Sequence, residues 1–137
     1  MIEIPSTILD AIEGYLISQY PLEGCGLVGA SNLDDISLLR VISWYPCKNT
    51  AQSGKLYELD PLDYLKADRE AESKNQQIVG VVHSHTHSDP YPSLTDVSSA
   101  PDPNWHYIIT SFRFHSPSTR SYKFLAGKIK EEKIVIT

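Results

Sequence analysis

No cluster of lysine or arginine occurs anywhere in the chain. Twelve basic residues are scattered among seventeen acidic ones, for a formal net charge of −5. A nucleic-acid partner, which needs a basic face or stripe, is therefore disfavoured. No apolar run approaches the ~20 residues of a membrane-spanning helix. The opening stretch "MIEIPSTILDAIEGYLISQY" carries Glu3, Asp10 and Glu13 and lacks a basic start, so it does not read as a signal peptide. Cys25 and Cys47 are the only cysteines and form no CxxC. Without an export signal, reduced thiols in a cytoplasmic protein are the expectation. Several catalytic signatures are also missing. There is no HExxH of a thermolysin-like zinc site, no HxE with a downstream PCxxC of a deaminase, and no GxSxG elbow or P-loop.

What remains is an ordinary globular composition, 41% hydrophobic and 21% charged over 137 residues. That length suits a single domain spanning 1–137 with a real core, and no repeat or linker interrupts it. "PSTILDAIEGYLISQYP" sets Ile8, Ile12, Tyr15, Leu16 and Tyr20 at helical spacing between prolines. "CGLVGA" and "SLLRVISWY" read as strands joined by the polar turn "SNLDD". "DPLDYLKADREAESKN" reads as a helix with an Asp60 cap, Pro61 in its first turn and a stop at Asn75. "QIVGVVHS" is a short, largely apolar strand of the kind buried on both faces. "PSLTDVSSA" forms a short helix ended by Pro101, and "WHYIITSF", "SYKFLAG" and "KIVIT" give three more strands. Helices and strands interleave early and strands dominate late, which predicts an α/β layered domain with a mixed sheet.

Directly behind that apolar strand stands "HSHTHSDPYPSLTD", dense in histidine, aspartate and hydroxyls. On a strand, His83 and His85 point to one face. Pro90 and Pro92 turn the chain so that Asp96, in the next helix, can fold back toward the strand end. Two imidazoles and a carboxylate with one open position suit a catalytic zinc. "SLTD" equally reads as a capping box with Ser93 as N-cap, and a bare HxH reads first as a solvated loop. A zinc-activated water needs a general base. Glu23, just before the small apolar strand, is the best candidate, because burial there would raise its pKa; on spacing alone it reads first as a surface loop carboxylate.

Together, Glu23, His83-Ser84-His85 and Ser93-Leu94-Thr95-Asp96 resemble the JAMM/MPN+ zinc metalloprotease motif, E…HSH-x7-SxxD. The resemblance covers nearly the whole chain. "LEGCGLVGA" is similar to the family's opening segment, "NTAQSGKLYELDP" to a stretch of its small prokaryotic members, and "HYIITS" to the strand after the motif. It implies a cytidine-deaminase-like α/β layered domain, a mixed central β-sheet flanked by helices. It implies one zinc per chain held by His83, His85 and Asp96. Glu23 would serve as general acid/base for the zinc-bound water, and Ser93 would stabilise the oxyanion. The implied activity is hydrolysis of the amide bond after the C-terminal Gly-Gly of a ubiquitin-like protein, its tail held by strand addition.

Many eukaryotic members have proline after HSH, whereas this chain has Thr86. That substitution resembles the bacterial branch acting on ubiquitin-like sulfur carriers, including enzymes that release cysteine from a carrier's C-terminus. Lysine-63-specific relatives carry a cysteine/histidine zinc insertion beyond the motif aspartate; here only "VSSAPDPNW" separates Asp96 from the next strand, and no cysteine follows Cys47. A small leaving group is the expectation. His87 and Asp89 fall off the ligand positions and read as solvated rim residues, His106 and His115 as surface, and Cys25 as packing. Two other classes remain alternatives: a non-catalytic MPN-type scaffold, and a zinc amidohydrolase acting on a small molecule.

Overall fold

The computed structural model describes residues 1–32 and 38–137. Its elements in order are β1 (Ile2–Ile4), α1 (Ser6–Ser18), β2 (Cys25–Ser31), β3 (Leu39–Arg40), β4 (Ser43–Cys47), α2 (Pro61–Ser73), β5 (Gln76–His85), α3 (Leu94–Ser98), β6 (His106–Ser111), β7 (Ser118–Leu125), β8 (Lys128–Glu132) and β9 (Ile134–Ile136). Six strands form a mixed sheet in the order β4-β2-β5-β6-β7-β8, and three form a smaller one in the order β3-β1-β9. Within the larger sheet β5 and β6 run parallel and the other pairs antiparallel. The expected α/β domain with a mixed central sheet flanked by helices is what the chain forms.

Each of the two long helices covers one face of the larger sheet. Ile12 and Leu16 of α1 pack with Val28, Val82 and Ile108, together with Ile2 and Ile4 of the smaller sheet. Ala67 and Ala71 of α2 pack on the opposite face with Leu27, Val81, Tyr107 and Tyr122. Burial on both faces explains why β5 is apolar at consecutive positions instead of alternating. The α2 start follows its sequence signal: the Asp60 side chain accepts from the Leu62 amide at 3.0 Å, with Pro61 in the first turn. Asn75, at φ 57°, provides the left-handed exit that ends the helix. Gly26 is required for close approach, since a Cβ there would stand 2.3 Å from the Trp44 ring.

Four points differ from expectation. "SLLRVISWY" is two strands in two sheets, with β3 joining β1 and β4 joining β2. The chain crosses between them at the buried Val41, whose amide bonds the Glu3 carbonyl at 2.9 Å. Hydrophobic alternation marks a strand but carries no label for the sheet it joins. No expected element covers β1 or the charged edge strand β8, "KIKEE", because one is three residues long and the other nearly all polar. Tyr20 lies beyond the end of α1 and is exposed. Most of the expected turn "SNLDD", and the first residue of "SLLRVISWY", lie outside the described residues.

Candidate metal centre

β5 ends at His85, and residues 86–93 turn the chain into α3. His83 and His85 share a face as a strand requires, and both are buried. Their Nε2 atoms lie 3.2 Å apart. The Asp96 Oδ2 lies 3.2 Å from the first and 3.1 Å from the second. His85 Nδ1 donates to the Asp89 carbonyl at 2.8 Å, which leaves a bare lone pair on Nε2 of the neutral ring. His83 Nδ1 has no hydrogen-bond partner, and its ring is held instead by Tyr57, stacked at 4.3 Å between centroids. A proton on an imidazole Nε2 makes these contacts hydrogen bonds to Asp96, and with both Nε2 atoms deprotonated the three atoms present lone pairs to one point. A tetrahedral zinc with bonds of ~2.0–2.1 Å would set its ligand atoms about 3.3 Å apart. His83, His85 and Asp96 could therefore hold a metal ion, and they are the one such group among the described residues.

The same triangle accounts for the titration of its members. Burial lowers His83, and the Asp96 carboxylate only partly offsets it. Burial also works to lower His85, but hydrogen bonds to Asp96 and the Asp89 carbonyl prevail, so its pKa is raised. Asp96 is held well below the usual carboxylate range, because the two imidazoles and the Ser93 amide outweigh its burial.

α3 opens with the capping box that "SLTD" suggested. Ser93 Oγ accepts from the Asp96 amide at 3.0 Å, and Asp96 Oδ2 accepts from the Ser93 amide at 2.8 Å. The two readings of this motif are thus compatible: the cap holds Asp96 with the oxygen that faces the imidazoles. Ser93 is exposed, and capping uses a lone pair while leaving the hydroxyl proton free.

Glu23 is 4% exposed, so it is not a surface carboxylate. β2 pairs with β5 so that Cys25 opposes His83. The pairing continues backwards as Gly24 and Ser84 exchange two bonds, Gly24 N–H to Ser84 Oγ at 2.8 Å and Ser84 N–H to the Gly24 carbonyl at 3.0 Å. Glu23 thereby comes to the His85 end of the strand. Burial lifts its carboxyl to about 7; the His85 charge opposes and the Asp96 charge reinforces that shift. Its Oε1 is buried without a hydrogen-bond partner.

The remaining expectations resolve simply. His87 is exposed and meets the Tyr20 hydroxyl at 3.1 Å. The Asp89 side chain is exposed and pairs with Arg113, although its carbonyl orients His85. His115 is exposed, whereas His106 is half-buried against Glu132 at 2.6 Å. Cys25 is a core residue whose thiol burial pushes up to about 12, which makes a poor nucleophile. Beside Asp96 opens a groove of about 630 Å³ lined by Leu56, Tyr57, Leu59, Tyr64, Thr95 and Pro101. Sequence reasoning gave Tyr57 and Asn49 no role; both lie in "NTAQSGKLYELDP", where the resemblance was the only available signal.

The sequence pattern described as prokaryotic homologs of the JAB domain, Prok-JAB, matches residues 5–125. The chain belongs to the Prok-JAB family. This Prok-JAB chain is 32% identical over 132 residues to the CysO-cysteine peptidase of Mycobacterium tuberculosis, covering 96% of the chain and 88% of that protein. It is 36% identical over 92 residues to the desampylase of Haloferax volcanii, covering 66% of the chain and 63% of that protein. A solved structure of a Desulfitobacterium hafniense protein superposes with a TM-score of 0.91 at 27% identity, covering 100% of this chain and 93% of that one. Among the described residues of the Prok-JAB chain, no helix is long and apolar enough to cross a membrane.

Proposed function

We propose that this Prok-JAB protein is a zinc-dependent peptidase that hydrolyses the amide bond after the C-terminal Gly-Gly of a ubiquitin-like sulfur-carrier protein. The observation that carries the reading is the convergence of His83, His85 and Asp96 beside the buried Glu23. Relatives named as a CysO-cysteine peptidase and a desampylase support the substrate class. One zinc would be held by His83, His85 and Asp96. Bound there, zinc supplies Lewis acidity to the scissile carbonyl and brings the pKa of a water toward ~7.

Glu23 takes a proton from the attacking water on its carboxylate and returns it to the leaving nitrogen. A carboxyl near neutrality suits both transfers. Ser93, its oxygen engaged in the cap, donates its hydroxyl proton to the negative charge developing on the carbonyl oxygen. The groove beside Asp96 takes an extended tail, and two glycines at its end let the backbone approach the metal centre closely.

Only residues 97–105 separate the motif aspartate from β6, too few for a substructure that grips a second ubiquitin. The leaving group is therefore small, such as a single amino acid. The test compares a Gly-Gly sulfur carrier extended by cysteine with lysine-63-linked diubiquitin at equal concentration. Faster release of cysteine is expected. Faster cleavage of the diubiquitin would overturn the assignment. A scaffold would hydrolyse neither substrate, and a small-molecule amidohydrolase would not need the Gly-Gly tail.

A further inference from the structure

Asn49 is 8% exposed and uses all of its side-chain hydrogen-bonding capacity. Its Nδ2 donates to the Glu23 carbonyl at 3.0 Å and to the Leu56 carbonyl at 3.1 Å. Its Oδ1 accepts from the amides of Ala51 at 3.0 Å and Glu58 at 2.9 Å. One planar amide thus ties Glu23 to both ends of the loop that carries Tyr57, the ring stacked on His83. The loop returns a second bond, from the Glu23 N–H to the Ser53 carbonyl at 2.8 Å. A third tie closes the loop onto the ligand strand, from Thr86 Oγ1 to the Gly54 carbonyl at 3.1 Å.

Glu23 Oε1 has no hydrogen-bond partner to aim it. Where the carboxyl sits depends in part on where its backbone is held. Bonds that fix a reacting group from behind matter because small misplacements cost large factors in rate.

We infer that Asn49 is a positioning residue, its carboxamide locking the Glu23 peptide and the 50–58 loop into one rigid unit against the metal-binding strand. The inference rests on the proposed function for the role of Glu23, and the tie itself can be read without turnover.

Asn49→Ala and Asn49→Asp would be made in the unaltered protein and in the Glu23→Gln background, and assayed with the cysteine-extended Gly-Gly carrier. With Glu23 present, kcat should fall at least about 10-fold, with KM within about two-fold and metal content retained. In the Glu23→Gln background no further fall is expected, because the group being aimed is gone. Unchanged kcat, loss of the metal, or an equal fold-loss in both backgrounds would overturn the inference. Amide hydrogen exchange on chelator-treated Asn49→Ala gives the second readout. Faster exchange is expected at Glu23, Ala51 and Glu58 together. Continued protection of Ala51 and Glu58, whose amides donate to Asn49, together with Glu23, whose N–H donates to the same loop, would overturn the tie. If the unaltered protein cleaves no Gly-Gly carrier, the proposed function fails, and the exchange result alone decides whether Asn49 holds Glu23.

Discussion

The Tyr57 ring lies face to face with the His83 imidazole, 4.3 Å between centroids and 21° from parallel. Because His83 Nδ1 has no hydrogen-bond partner, this stack would stand in for the polar support a ligating histidine usually has, if His83 binds metal as proposed. Tyr57→Ala is therefore expected to weaken metal binding by roughly 10–100-fold, the usual effect of losing a ligand's support. Tyr57→Phe should retain it. Competition with a chromophoric chelator measures both, and equal affinity in Tyr57→Ala would refute the role of the stack.

Under the proposed function, purified protein should carry one metal per chain, and His83→Ala, His85→Ala and Asp96→Ala should each lose it. Elemental analysis decides, and undiminished metal in all three variants would refute the ligand set. Asp96→Ala also breaks the capping box, so it should lose about 1 kcal/mol of stability beyond what a lost ligand alone explains. Chemical denaturation of the chelator-treated proteins isolates that difference.

Glu23→Gln should keep the metal and lose about 10²–10⁴-fold in turnover, because an amide cannot accept the water's proton. It should also change how stability depends on pH. The folded-state pKa is raised from 4.5 to about 7 by burial, so the folded chain keeps a proton that the unfolded chain releases. Stability from this group therefore falls as pH rises through that interval and stays low above it. At pH 8, chelator-treated Glu23→Gln should be more stable than the unaltered protein by roughly 3 kcal/mol, with the gap vanishing near pH 4. Parallel denaturation curves at the two pH values would show a different burial cost.

The observed cap of Ser93 and its proposed oxyanion role are separated by different substitutions. Ser93→Ala removes both cap and hydroxyl and should cost about 1 kcal/mol in stability and roughly 10²-fold in kcat. Ser93→Asn keeps a good cap, so stability should hold while kcat falls similarly. Full activity in Ser93→Asn would leave capping as the only role.

The elements most legible in the sequence were those with local rules. Asp60-Pro61 starts α2 and Asn75 ends it because cap chemistry acts within one turn. The residues of β5 were legible because a strand buried on both faces needs consecutive apolar side chains. β1 was not: Ile2 and Ile4 become a strand only because β3 and β9 flank them. β8 was hidden by its charges, which suit an edge strand.

At the site, the local placement of His83, His85 and Asp96 follows from the order of residues, while their reading as one ligand set came from the resemblance. Alternation on a strand sends His83 and His85 to one face whatever the rest of the molecule does, and a capping box fixes Asp96 at a helix start. The state of Glu23 had to wait for the assembled fold. Its distance in sequence from the histidines is closed by the pairing of β2 with β5, and its carboxyl rises to about 7 because the packed strands exclude water. The ties from Asn49 and the stack of Tyr57 likewise exist only once the 50–58 loop lies over the ends of β2 and β5. Local stereochemistry aims side chains along one strand, but desolvation and contact between distant segments arise only when the chain has packed.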